Sequence, residues 1–64
     1  SNVLQGIAAM GGNVLTINQS VPAGGVAEVS LDVETSALRV SMEELLGSIR
    51  TMNGVLDCQT PAGQ

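Results

Sequence analysis

The 64-residue sequence contains no aromatic residue and no histidine, and Cys58 is its single cysteine. One cysteine cannot form an internal disulfide. A single cysteine without histidine also provides too few of the ligands that zinc prefers, so we expect no metal site. The three methionines fit core and interface packing, and we expect no cofactor.

Basic residues are also scarce, because two arginines stand against six acidic residues and leave a net charge of −4. Nucleic-acid binding is therefore disfavoured, since it needs phosphate neutralisation and usually aromatic surfaces for base stacking. The apolar runs are much shorter than the roughly 20 residues that cross a bilayer, and no signal peptide is visible, so we expect no membrane partner. The lone cysteine favours the reducing cytoplasm.

A chain of this length forms one domain with a small core, and such domains usually depend on disulfides, metals or oligomerisation. With the first two disfavoured, we expect self-association or contact with a further part of the protein. No catalytic constellation accompanies the folding signals, which indicates a small binding or regulatory module.

The first half of the sequence predicts a helix followed by two strands. Residues 1–10 carry apolar positions at helical spacing, and Gly11-Gly12 ends the helix because glycine accepts a left-handed conformation. Asn13–Gln19 reads as a strand with Leu15 and Ile17 on one face. A turn at residues 21–25 leads to a strand over residues 26–33 that alternates apolar and polar side chains.

The second half predicts a helix and a short strand. Ser41 and Glu44 form an S-x-x-E capping box at the start of the helix, which ends near Asn53-Gly54. Residues 55–59 read as a final strand, with Cys58 on its core face as a buried, inert thiol. We expect residues 1–59 to form the domain and residues 60–64 to form a flexible tail.

The predicted order is therefore α-β-β-α-β, an α+β fold. One further strand in front would give β-α-β-β-α-β, the ferredoxin-like arrangement, in which two helices cover one face of an antiparallel sheet.

The run GNVLTINQSVP from Gly12 to Pro22, followed by Gly25-Val26-Ala27, resembles ACT domains. Within these it most resembles the PheB-like ACT-domain proteins, sometimes labelled chorismate mutase. The resemblance covers nearly the whole chain and implies a regulatory module that binds an amino acid between two copies. It further implies a role in aromatic amino-acid metabolism, with phenylalanine as a plausible ligand.

The family's ligand loop lies between its first strand and first helix, and this sequence has no such loop. We therefore expect the chain to lack the first strand, which is central in the ferredoxin-like sheet. Its loss would leave a gap between residues 26–33 and 55–59. We expect either that a strand from another chain fills the gap in a strand-exchanged oligomer or that the two flanking strands close up as a parallel pair.

Asn13 is the first candidate ligand-binding residue, because its amide both donates and accepts hydrogen bonds and so suits an ammonium and a carboxylate. The resemblance adds that an Asn at this position often contacts the bound amino acid; the alternative is a turn residue. Gly12 could allow close approach of a ligand, although a helix C-cap explains it better. Val14 and Leu15 could present backbone groups to a ligand across a dimer interface, although packing explains their side chains better.

Three functions follow from this reading. The first is an amino-acid-sensing regulatory module that acts through homodimerisation. The second, from the family label, is part of a chorismate mutase, which needs cations to hold two carboxylates. The chain offers Arg39 and Arg50 on a loop and a helix, and we assign no catalytic residue. The third is a purely structural dimerisation domain.

Overall fold

The computed structural model describes residues 2–61. The chain order is α1 (Asn2–Ala9), β1 (Asn13–Gln19), β2 (Val29–Glu34) and α2 (Met42–Arg50). The two strands pair antiparallel, and both helices contribute to a core on one face of them. An α+β fold with two helices and an antiparallel hairpin is confirmed. The predicted helical residue 1 and residues 62–64 of the predicted tail lie outside the described residues.

The hairpin turns at Gly24 and Gly25, which both have positive φ angles, 59° and 77°. Ala23 and Val26 flank them and exchange two backbone hydrogen bonds of 2.9 and 3.0 Å. Positive φ at both central residues is the signature of the two-residue turn that matches the twist of paired strands. The predicted turn is therefore confirmed.

The strand predicted over residues 26–33 is shifted, because regular pairing runs from Val29 to Glu34. The Ser20 amide donates to the Glu28 carbonyl at 2.8 Å. Between this pair and the Ala23–Val26 pair, residues 21 and 22 lie opposite the single residue 27. Pro22 lies in that interval and has no N–H to donate to a ladder. The ladder is therefore interrupted beside the turn and resumes at Val29.

A β-bulge at Leu15 corrects the predicted faces of β1. Val14 pairs with Val33, and Thr16 pairs with Asp32, which leaves Leu15 as the extra residue. Since a bulge changes the alternation of side chains, Leu15 and Ile17 are not related by simple alternation as predicted. Instead Val14 packs against the core, whereas Leu15 is 60% exposed.

The core in the described part of the chain has three buried apolar residues, and ten partly buried residues surround it. The buried residues are Ile7, Leu45 and Ile49, at 1%, 3% and 7% exposure. Ile7 comes from α1, and the other two lie one turn apart on α2. Half-buried Leu31 and Val33 of β2 pack against them from the sheet. The helices thus cover one sheet face and leave the other open.

Residues 55–59 do not form the predicted strand: residues 55–61 have no regular secondary structure. Among residues 2–61, no backbone hydrogen bond joins this segment to β2, so the expected parallel closure does not occur either. A strand is stabilised by hydrogen bonds to a neighbour, and residues 55–59 have no such neighbour. The half-buried side chains of Val55 and Cys58 still contact the core.

Helix α2 begins as predicted. Ser41 is the N-cap with extended backbone, and its hydroxyl accepts a hydrogen bond from the Glu44 amide at 3.1 Å. Two acidic residues lie in the first turn and Arg50 in the last, which complements the helix dipole. The helix ends at Arg50, earlier than predicted, with Thr51 as its C-cap.

Replacing Ser41 with alanine should lower the free energy of unfolding by about 1 kcal/mol, because it leaves a helical amide without its cap. Urea unfolding followed by far-UV circular dichroism measures this, since the chain has no aromatic fluorophore. Ser48→Ala is the matched control, because Ser48 is exposed inside the same helix and alanine has the higher helix propensity. Equal losses in the two variants would contradict the capping role.

Candidate functional site

The candidate site lies at the junction between the end of α1 and the start of β1. The Gly12 amide donates to the Ile7 carbonyl at 2.9 Å, and the Gly11 amide donates to the Ala8 carbonyl at 3.0 Å. Gly11 has a φ of 95°. This pair of bonds around a left-handed residue is the Schellman motif, which satisfies the last carbonyls of a helix. The helix C-cap favoured for these glycines is confirmed.

Close packing adds a second reason for glycine at both positions. A Cβ on Gly11 would lie 2.2 Å from the carbonyl oxygen of Ala37. A Cβ on the buried Gly12 would lie 2.5 Å from the Ile7 side chain and 3.2 Å from that of Val33. The backbone therefore passes close to both the core and the loop after β2, and this fixes where β1 begins.

Arg39 ties that loop to the end of α1. Its backbone amide donates to the Met10 carbonyl at 2.8 Å, and its guanidinium Nη2 donates to the Ala9 carbonyl. A cation at a helix C-terminus interacts favourably with the helix dipole. Arg39 thus holds the loop after β2 against the end of α1, next to the candidate site.

Asn13 opens β1 on the exposed surface, directly opposite Glu34. Its side-chain Nδ2 donates to Glu34 Oε1 at 3.4 Å, a long hydrogen bond between exposed groups. The arrangement places an amide, which can donate and accept, beside a carboxylate, which at neutral pH only accepts. Such a pair can meet both an ammonium group and a hydrogen-bond acceptor on a ligand.

The other two candidates follow Asn13 on β1 but differ in surroundings. Val14 is half-buried and packs against the core, in line with the packing explanation for its side chain. Leu15 is the bulged residue and is 60% exposed. A bulge leaves backbone groups outside the regular ladder, so the backbone here is less committed to β2 than elsewhere in β1.

The two arginines do not converge on one site. Arg39 donates to the end of α1, whereas Arg50 Nε lies 3.6 Å from Asp57 Oδ1 in an exposed ion pair. On the open sheet face, the Thr16 hydroxyl donates to Asp32. Within residues 2–61, no three His, Cys, Asp or Glu side chains are grouped as a metal site requires.

Cys58 is half-buried against the core. Burial raises the pKa of its thiol above the ordinary value; Asp57 adds to this effect, and the positive charge of Arg50 opposes it. A raised pKa leaves less thiolate, the nucleophilic form, at neutral pH. The environment therefore agrees with the predicted inert thiol.

Two contributors to the site were not anticipated from the sequence. Glu34 is the partner of Asn13, and Arg39 braces the end of α1. Counting pairs outward from the Ala23–Val26 bridge would place Asn13 opposite Ser36. Two one-residue shifts in the ladder, beside Pro22 and at Leu15, bring Glu34 there instead. Pro22 is the one signal in the sequence that pointed to such a shift.

Comparison with known proteins gives a consistent name for the chain's relatives. A protein of Carboxydothermus hydrogenoformans is 53% identical over 55 residues, covering 86% of this chain and 38% of the relative. One of Heliobacterium modesticaldum is 46% identical over 59 residues, covering 92% and 39%. One of Thermoanaerobacter sp. strain X514 is 42% identical over 55 residues, covering 86% and 38%. The chain is similar to UPF0735 ACT domain-containing proteins.

These relatives support an ACT domain in this chain. The chain spans about two fifths of the length of the UPF0735 proteins it matches. No family model matches the chain, and no solved structure matches it. Neither helix in the described part of the chain is long and apolar enough to cross a membrane.

Proposed function

We propose that the chain is an amino-acid-binding regulatory module that acts through association of two copies. The observation that carries the proposal is the exposed Asn13–Glu34 pair at the start of β1, in a chain similar to ACT domain-containing proteins. The Glu34 carboxylate would accept from the ammonium of an α-amino acid, and the Asn13 amide would donate to its carboxylate. The backbone of Gly12, Val14 and Leu15 would contact the same ligand.

The geometry of α1 supports an interface between two copies. The free amide groups at the start of a helix favour an anion. Helix α1 starts at Asn2 and ends beside Gly11, so its first turn lies about 12 Å, by helical rise, from the end that adjoins the candidate site. The ammonium and carboxylate of one amino acid are much closer together than that. One ligand could therefore meet both Asn13 of one copy and the start of α1 only if that α1 belongs to a second copy.

Phenylalanine is the candidate ligand, and aromatic amino-acid metabolism the candidate setting, through the resemblance to PheB-like ACT-domain proteins. The chorismate mutase attached to that family by name is not favoured for this segment. The reaction needs cations on both substrate carboxylates, whereas Arg39 and Arg50 are held apart by α1 and Asp57. The proposed role is therefore binding and regulation.

Isothermal titration of the protein with each of the twenty amino acids tests the proposal. We expect saturable heat from at least one of them, phenylalanine first. Asn13→Ala should weaken that binding by at least tenfold, because a hydrogen bond to a charged group contributes about 1.5–3 kcal/mol. Asn18→Ala, the same change at an exposed position of the same strand, should bind within about twofold of the unaltered protein.

The two failures are distinguishable. No heat from any amino acid would contradict the proposed function. Heat that is unchanged by Asn13→Ala would leave amino-acid binding standing and would place the site elsewhere.

A further inference from the structure

The turn after α2 places an asparagine and a glycine side by side on the surface. The Met52 carbonyl accepts a hydrogen bond from the Val55 amide at 3.2 Å, so Asn53 and Gly54 are the two central residues of a β-turn. Gly54 has a φ of 88°, the positive value that a type II turn has at its second central residue. Both residues are exposed. Solvent therefore reaches the Asn53 side chain and the backbone that follows it.

The backbone nitrogen of Gly54 is free to react with the Asn53 side chain. Among residues 2–61, no hydrogen bond uses the Gly54 N–H. Glycine has no Cβ to shield its nitrogen from the preceding side chain. A Cβ built on Gly54 would meet nothing within 4 Å, so no neighbouring element covers the position either. A bond from this nitrogen to the Asn53 side-chain carbonyl carbon closes a five-membered ring, a size that forms readily.

The other three asparagines lack this combination of an exposed turn and a following glycine. Asn13 and Asn18 lie in β1, where pairing with β2 restricts the backbone rotation that ring closure needs. Asn2 lies in α1, whose helical backbone is restricted in the same way. Each of the three is followed by a residue with a larger side chain: Val3, Val14 and Gln19. Asn53 is therefore the asparagine best placed for ring closure.

We propose that Asn53 is a site of spontaneous deamidation, with water as the co-reactant. The Gly54 nitrogen loses its proton to solvent and bonds to the Asn53 side-chain carbonyl carbon; the bond from that carbon to the side-chain nitrogen breaks, and ammonia leaves. Water then opens the resulting succinimide. Attack at the side-chain carbonyl gives aspartate, and attack at the main-chain carbonyl gives isoaspartate. One water is consumed, one ammonia is released, and no electrons are exchanged.

The conversion alters a turn that joins two core contacts. Isoaspartate carries the main chain through the former side chain, which adds one carbon atom between Met52 and Val55. Both of these residues pack against the core. Met52 also lies so close to Gly6 of α1 that a Cβ there would overlap its side chain. The new carboxylate, just after the end of α2, is unfavourable to the helix dipole. Conversion therefore loosens residues 55–61 and the packing of α1 on α2.

Incubation of the protein at neutral pH, followed by proteolysis and mass spectrometry, tests the proposal. Deamidation appears as the small mass increase that replacement of –NH2 by –OH causes, and reversed-phase chromatography separates isoaspartate from aspartate peptides. We expect Asn53 to convert at least tenfold faster than Asn18, which is equally exposed and serves as the internal control. A higher pH should speed the conversion, because the deprotonated Gly54 nitrogen attacks.

Gly54→Ala and Asn53→Gln identify the two reacting groups. Gly54→Ala places a methyl group beside the nitrogen and should slow conversion at least tenfold. Any destabilisation from its positive φ would free the turn and speed conversion, so slowing cannot come from unfolding. Gly25→Ala makes the same change at another positive φ and should leave the Asn53 rate within about twofold. Asn53→Gln requires a six-membered ring and should stay unconverted over the same time.

The consequence for the fold is measured by urea unfolding of aged protein. The unfolding midpoint of the unaltered protein should fall as isoaspartate accumulates, whereas Asn53→Gln aged in parallel should keep its midpoint. Conversion at Asn53 no faster than at Asn18, or undiminished in Gly54→Ala, would overturn the proposed site. Isoaspartate at position 53 with an unchanged midpoint would contradict the loosening of the core. All of these outcomes are independent of the proposed amino-acid site.

Discussion

Alanine in place of Gly11 should lower the free energy of unfolding by at least about 3 kcal/mol, from two separate costs. The first is the φ of 95°, which L-residues rarely adopt. The second is the Ala37 carbonyl oxygen, 2.2 Å from where the new Cβ would lie. That oxygen belongs to the backbone of a loop held to α1 by Arg39, so relief requires the end of α1 to move.

Gly25→Ala separates the two costs. Gly25 also has a positive φ, 77°, but nothing lies within 4 Å of its added Cβ. It should lose about 1 kcal/mol, the cost of the left-handed conformation alone. Urea unfolding of both variants by circular dichroism gives the comparison. Equal losses would show that the Gly11–Ala37 contact does not fix the start of β1.

Alanine in place of Ile7 should be similarly severe, with a loss of about 2–5 kcal/mol. Ile7 is 1% exposed and is the most buried of the three core residues among those described. Its side chain also contacts the position of Gly12, so the change leaves a cavity directly beneath the candidate site. A domain of this size has about 3–10 kcal/mol of stability in total, so much of the population should unfold.

Ile17→Ala is the matched control for Ile7→Ala, because it removes the same atoms from a side chain that is 52% exposed. It should lose less than half as much stability, since fewer contacts and less buried area disappear. A loss at Ile17 equal to that at Ile7 would mean that the Ile17 side chain is covered in solution.

Turns and helix ends that depend on a few adjacent residues could be predicted from the sequence. Gly24-Gly25 specifies its turn because only residues that tolerate positive φ form it, and Ser41 with Glu44 specifies the start of α2. Gly11-Gly12 ends α1 as the sequence predicts, for the same reason. Each of these signals acts within one turn of the backbone, so no knowledge of distant contacts was needed.

Features that depend on distant pairing could not be predicted. The bulge at Leu15 results from how β1 and β2 align, and a simple alternation pattern does not show it. Residues 55–59 have a strand-like sequence, yet a strand forms only beside a neighbour. Asn13 is a candidate from the chemistry of its amide alone, whereas its partner Glu34 follows only from the register of the two strands. The sequence therefore predicts one member of the Asn13–Glu34 pair and not the other.

The most direct test of the central claim, that an amino acid binds at the start of β1 between two copies, is sedimentation velocity with and without each amino acid. A ligand held between two copies must strengthen their association, because binding and association are thermodynamically linked. We predict that the amino acid that gives heat in titration shifts the monomer–dimer balance toward the dimer, and that Asn13→Ala removes the shift. A sedimentation coefficient unaffected by all twenty amino acids, across concentrations where monomer and dimer coexist, would contradict the claim.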